Sequence, residues 1–128
     1  MTKIILVEQD PVLRGIMRSS LEHAGHDVVA VAKARDALRC RAAGVVADLI
    51  IADISRRGAS TIDYTDALIG HAGDIPVLGI APAVRADVVA TKNDRNATFG
   101  VTDVLTKPFS VQMLRDTVGR MIRPRVSV

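Results

Sequence analysis

The chain has no tryptophan, one tyrosine, two phenylalanines and a single cysteine among its 128 residues. So few rings leave no stacking platform for single-stranded nucleic acid, and any core must be built from Val, Ile, Leu, Ala and Met. One thiol, Cys40, excludes an internal disulfide and a cysteine-based metal cage, and it fits a reducing compartment. It follows Ala37 and Leu38 on a helical pattern and reads as a structural thiol. No run reaches the ~18 apolar residues of a membrane span. The first apolar run meets Glu8 too soon for a signal peptide, so a cytoplasmic location is expected. The 17 basic and 14 acidic residues leave a formal charge of +3, but the basic residues are scattered. That distribution describes a solvated surface rather than a nucleic-acid footprint.

What is present is apolar sequence in the right amount for one packed domain, 48% hydrophobic with 24% charged residues. Short apolar runs, Ile4–Val7, Val28–Val31, Leu49–Ala52, Val77–Ile80 and a weaker Val101–Leu105, read as strands, and most are continuous, the mark of burial on both faces. Segments of helical period lie between them. In the first, Leu13, Ile16, Met17, Ser20, Leu21 and Ala24 form a stripe. Asp10 is its expected N-cap, Pro11 its N1 residue and Gly25 its stop. A second helix is expected from Ala34 to Ala43, ending at Gly44. A third follows the capping-box spacing Ser60-Thr61-Ile62-Asp63 and runs through Leu68 and Ile69. A fourth covers Ala86–Ala97, its polar second half prone to fray. A fifth carries Val111, Leu114, Val118, Met121 and Ile122 and is ended by Pro124.

Five strand–helix repeats imply an α/β fold: a doubly wound parallel sheet with right-handed crossovers. The flavodoxin-like (βα)5 form has strand order 2-1-3-4-5, and its functional crevice lies beyond the carboxyl ends of the strands. Those ends carry Glu8, Gln9 and Asp10 after strand one, Asp53 after strand three, Ala81 after strand four and Lys107-Pro108 after strand five. Strands one and three are neighbours in this order, so Glu8 and Gln9 face Asp53. An acidic cluster opposite a lysine suits aspartyl-phosphate chemistry: a carboxylate nucleophile, a divalent cation and a lysine on a phosphoryl oxygen. Taken singly, Asp53 is a strand-terminal turn residue and Lys107 a surface lysine before a proline. Asp10 is better explained as a cap than as a ligand. His23, His26 and His71 lack metal-ligand spacing with each other or with Cys40, and read as surface residues.

From about Lys3 to Ile122 the chain resembles the receiver domain of bacterial two-component response regulators. Ile4-Ile5-Leu6-Val7-Glu8-Gln9-Asp10-Pro11 is similar to the first-strand motif that ends in an acidic pair. Asp48-Leu49-Ile50-Ile51-Ala52-Asp53 resembles the strand that ends in the phosphoacceptor. Ile75-Pro76-Val77-Leu78 resembles the opening of strand four. Gly100-Val101-Thr102-Asp103-Val104-Leu105-Thr106-Lys107-Pro108-Phe109 resembles the lysine-proline-phenylalanine block, whose Lys-Pro bond is usually cis. Each motif alone is weak; four in order are specific. The resemblance implies that Asp53 is the phosphoacceptor and Lys107 the phosphoryl contact. It also implies Mg²⁺ at Glu8, Asp53 and the backbone carbonyl of Ser55. It places the receiver at residues 1–123, with 124–128 a short basic tail.

The resemblance is also broken at several positions. Gln9 stands where the family usually has a metal-binding aspartate, so Mg²⁺ is expected to bind weakly or not at all. Ala81 replaces the switch Ser/Thr and Val104 its partner aromatic, so both halves of the usual relay are missing. A hydrogen bond to a charged group contributes roughly 1.5–3 kcal/mol. Ser55-Arg56-Arg57-Gly58 replaces the family's usual segment after the phosphoacceptor, and Arg56 or Arg57 could contact a phosphoryl group.

Two functions are compatible with these expectations. One is a stand-alone receiver, phosphorylated at Asp53 by a histidine kinase or a histidine phosphotransfer protein. It would signal through the helix 4–strand 5–helix 5 face, with no turnover beyond its own phosphorylation. The other is a degenerate receiver acting as a phosphorylation-independent adaptor. A dehalogenase-like phosphatase would need an aspartate where Glu8 stands. Direct DNA binding is not expected, because all five helices are used by the sheet.

Overall fold

Each apolar run becomes a strand because both of its faces are covered. The computed structural model describes residues 2–54, 64–82 and 101–122. The strands are β1 (Lys3–Val7), β2 (Asp27–Val31), β3 (Leu49–Asp53), β4 (Val77–Ala81) and β5 (Asp103–Thr106). All pair in parallel, in the order β2-β1-β3-β4-β5, which is the expected flavodoxin-like arrangement. The helices are α1 (Pro11–His23), α2 (Ala34–Ala42), α3 (Tyr64–Gly70) and α4 (Val111–Met121). The last of these is the fifth helix expected from the sequence. The fourth expected helix, the capping box at 60–63, Pro124 and the basic tail lie outside the described residues.

Alternate residues of each strand enter opposite cores. Ile4 and Leu6 pack with Met17, Leu21, Leu114 and Val118, which places α1 and α4 on one face. Ile5 and Val7 pack with Ala34, Ala37, Leu68 and Ile69, which places α2 and α3 on the other. Leu49, Ile50, Ile51 and Ala52 of the central strand are all fully buried. This double burial is why the strands are continuous apolar runs rather than alternating ones.

Helix α1 starts where Asp10 accepts from the Val12 and Leu13 backbone N–H groups, with Pro11 behind it. Gly25 and Gly44, each at φ 100°, carry the chain out of α1 and α2 in the left-handed conformation that glycine adopts without strain. The apolar stripe of α1 is narrower than expected. Met17, Ser20 and Leu21 are buried, whereas Ile16 is 48% exposed and Ala24 is exposed at the C-cap. Ile16 sits one residue, about 100°, round the helix from Met17 and so misses the sheet.

Strand β5 begins two residues later than expected. Thr102 donates its N–H to the Val77 carbonyl, and its hydroxyl oxygen accepts from the Val77 N–H at 3.0 Å. A side chain thus replaces a ladder acceptor at the strand's entrance, and Val101 is left to pack into the core. In α4, Ser110 caps the helix through Met113 N–H. Arg115 reaches back to the buried Ser20 hydroxyl at 3.1 Å, tying α4 to α1. Among the described residues no helix is long and apolar enough to cross a membrane.

The cap at Asp10 carries a test. Asp10→Ala should lower stability by about 1 kcal/mol in urea denaturation, and Asp10→Ser should retain most of it, because a hydroxyl oxygen replaces the carboxylate as acceptor.

Candidate functional site

Register brings the candidate residues to one edge. Val7 pairs with Ala52, Asp53 with Ile80, and Ala81 with Thr106. Glu8 therefore leaves β1 beside Asp53, and Lys107 leaves β5 just past Ala81, whose carbonyl accepts from the Lys107 N–H at 2.8 Å. The Lys107–Pro108 bond is cis.

The Lys107 ammonium lies 3.2 Å from Glu8 Oε1 and 3.6 Å from Asp53 Oδ2. Glu8 is 2% exposed, and its carboxylate is tolerated because charge and a dipole meet it from two sides. Asp10 N–H donates to Oε2 at 3.1 Å, while Oε1 faces the ammonium. Oε1 is nevertheless buried with no hydrogen bond among the described residues. Two carboxylates against one ammonium leave one negative charge in excess. Burial pulls the Lys107 pKa down, but contact with Glu8 and the negative charges of Asp53 and Glu8 outweigh it. The result lies above the ordinary 10.5.

Arg14 completes the edge, and sequence reasoning missed it. Its guanidinium donates to the carbonyl of Glu8 at 2.9 Å and of Gln9 at 3.4 Å. One turn into α1, it holds the loop that carries Glu8 and Gln9; its spacing of six residues from Glu8 was the available signal. Gln9 is exposed on the rim, Ala81 is buried at 3%, and Val104 is half-buried on the α2–α3 side of the sheet. Ser55, Arg56 and Arg57 lie outside the described residues. Leu13, Pro82, Pro108 and Phe109 line an open cleft against Lys107. His23 and His71 are exposed, but His26 is half-buried with Nδ1 enclosed and unpaired among the described residues. That corrects its reading as a surface histidine. It sits in the turn into β2, where the backbone draws it inward through the bond from its N–H to the Leu21 carbonyl.

Among the described residues no group of three or more His, Cys, Asp or Glu is placed to hold a metal ion. Two carboxylates, one with a buried oxygen that lacks a hydrogen bond, still fit Mg²⁺. That ion often uses one or two carboxylates and completes its shell with water and phosphate.

A doubly wound parallel sheet with an acid–lysine edge at its carboxyl end defines the class of fold and site. The profile of the response regulator receiver domain matches residues 4–119, and the chain belongs to that family. It is 32% identical to the C4-dicarboxylate transport transcriptional regulatory protein DctD of Pseudomonas aeruginosa over 97% of this chain. The chain spans 26% of that relative's length. A response regulator receiver domain protein from Clostridium thermocellum superimposes with a TM-score of 0.76 at 18% identity, covering 95% of this chain and 94% of that one. The chemotaxis protein CheY4 of Vibrio cholerae does so with a TM-score of 0.73 at 23% identity, covering 94% and 98%. At these identities the two structures establish the fold.

The raised Lys107 value makes a pH prediction. The folded chain holds this proton more tightly than the unfolded one, so the stabilisation is complete below pH 10.5 and is lost as pH rises through the higher folded value. Urea midpoints from about pH 8 to about pH 11.5 should fall more steeply above 10.5 in the wild type than in Lys107→Met. Parallel curves would show that the ammonium adds nothing.

Proposed function

We propose that Asp53 accepts a phosphoryl group from a histidine kinase or a histidine phosphotransfer protein, and that the modified domain acts through protein–protein contact. The observation that carries this reading is Lys107 lying within 4 Å of both Asp53 and Glu8 at the sheet edge. An Asp53 carboxylate oxygen attacks phosphorus, the bond from phosphorus to the donor's imidazole nitrogen breaks with its electron pair staying on nitrogen, and the imidazole leaves neutral by taking a proton from solvent. Lys107 exchanges part of its carboxylate contact for a phosphoryl oxygen, so the charge arriving at Asp53 finds an ammonium already in place. Glu8 and Asp53 would hold Mg²⁺, with Gln9 a weakened third position, and the ion would offset the charge of the phosphoryl donor. The chain turns over no other substrate. A cytoplasmic setting suits this role, because the proposed donors are two-component signalling proteins. The face around β5 and α4 is the described part of the surface that would meet a downstream protein.

A second reading, a phosphorylation-independent adaptor, is favoured by Ala81 and Val104. A methyl and an isopropyl group stand where a hydroxyl and an aromatic ring would report the phosphoryl group, and Gln9 removes a charge from the metal edge.

Acetyl phosphate with millimolar Mg²⁺ separates the two. The first reading predicts a gain of one phosphoryl mass on the peptide containing Asp53, absent in Asp53→Asn. An unmodified chain, together with silence towards histidine kinases, favours the adaptor. Gln9→Asp should lower the Mg²⁺ concentration needed for half-maximal labelling about tenfold, the scale of one added charge near a divalent cation.

A further inference from the structure

Gly79 occupies the middle of β4, a fully covered strand in which glycine gives up side-chain packing and adds backbone entropy to be lost. Its vacant side-chain position is already filled. A methyl group built there would lie 3.0 Å from Ile54 Cδ1, 3.3 Å from Ile54 Cγ2 and 3.1 Å from Val101 Cγ1. Two side chains from separate parts of the chain thus converge on one missing Cβ. Ile54 is the residue directly after Asp53, and its N–H extends the sheet by donating to the Ile80 carbonyl at 2.9 Å. Val101 is 8% exposed and leads into β5 through Thr102, which is clamped to Val77 by two hydrogen bonds. Ile54, Val101 and Val104 belong to the same apolar cluster.

We infer that Ile54 and Val101, meeting over Gly79, form an apolar relay that carries the state of Asp53 to β5. This rests on the phosphoacceptor reading and supplies what Ala81 and Val104 do not. When the carboxylate of Asp53 and the Lys107 ammonium rearrange around a phosphoryl group, the backbone at 53–54 takes up the change. Ile54 cannot shift within a filled gap unless Val101 shifts with it, because close-packed interiors move between discrete arrangements rather than deforming smoothly. Val101 is two residues from the start of β5, so its displacement reaches the strand that leads into Lys107. No hydroxyl or ring is required.

The test uses the full chain with labelled Ile and Val methyl groups and ¹⁵N amides, titrated with beryllofluoride and Mg²⁺ as the phosphoryl probe. In the wild type the Asp53 amide, the Val101 methyls and the Val104 and Leu105 amides should all shift. In Ile54→Ala the Asp53 amide should still shift, while the Val101 and β5 responses are lost; Ile54→Val should retain part of them. Gly79→Ala forces the end of Ile54 aside, so it should move the resting Val101 resonance and diminish its response. This second variant decides the matter should Ile54→Ala fold poorly. An Asp53 shift with Val101 unmoved overturns the relay alone, as does a full β5 response in Ile54→Ala. An unmoved Asp53 amide in the wild type overturns the phosphoacceptor reading and the relay with it.

Discussion

The Lys107 ammonium between Glu8 and Asp53 is the interaction on which this sheet edge depends. A carboxylate as buried as that of Glu8 would be costly without a compensating charge. The strand order supplies that charge from the far side of the sheet, since Lys107 comes after β5 while Glu8 comes after β1. Around this pair the chain spends its polar groups on position. Asp10 presents an N–H to Glu8 while its own carboxylate caps α1, and Arg14 holds the carbonyls of the same loop. The loop that carries Glu8 is therefore held by hydrogen bonds from both ends, the kind of positioning that a preorganised electrostatic site requires.

On the proposed reading, the same edge keeps the groups that would receive a phosphoryl charge, and the resemblance implies that Ala81 and Val104 stand where it would be reported. Asp53 and Lys107 stand together, whereas Ala81 and Val104 offer no hydroxyl or ring. The core beneath them has an uncommon feature of its own, a glycine in a buried strand covered by Ile54 and Val101. Coupling through packed apolar groups needs two discrete arrangements of a filled space, and Ile54, next after Asp53, and Val101, on the approach to β5, both close on this glycine.

Much of this was legible from the sequence because it depends on period and strand ends. Continuous apolar runs located every strand, and the order 2-1-3-4-5 came from their alternation with helices. Glu8, Asp53 and Lys107 could be placed together because each lies just past a run. Asp10 was legible from its neighbour Pro11. Most of the failures have one physical origin, contacts between residues remote in sequence; Arg14 and His26, whose partners lie six and five residues away, are local exceptions. Ile16 fits the helical period, but only the position of the sheet shows that it misses the core. The start of β5 was displaced because the Thr102 hydroxyl meets Val77, 25 residues away. Gly79 carries no local sign that Ile54 and Val101 fill its space. His26 lies in a turn whose inward direction depends on the Leu21 carbonyl.

Glu8 and Asp53, held by Lys107, are proposed to form one site for a divalent cation and a phosphoryl group. The most direct test of this proposal is a Mg²⁺ titration of the ¹⁵N-labelled chain alongside Glu8→Gln. Saturable shifts centred on Glu8, Gln9 and Asp53 are expected in the wild type, with the Lys107 amide moving in step, and should be lost in the variant. Shifts that are absent, or that persist unchanged in Glu8→Gln, would contradict it.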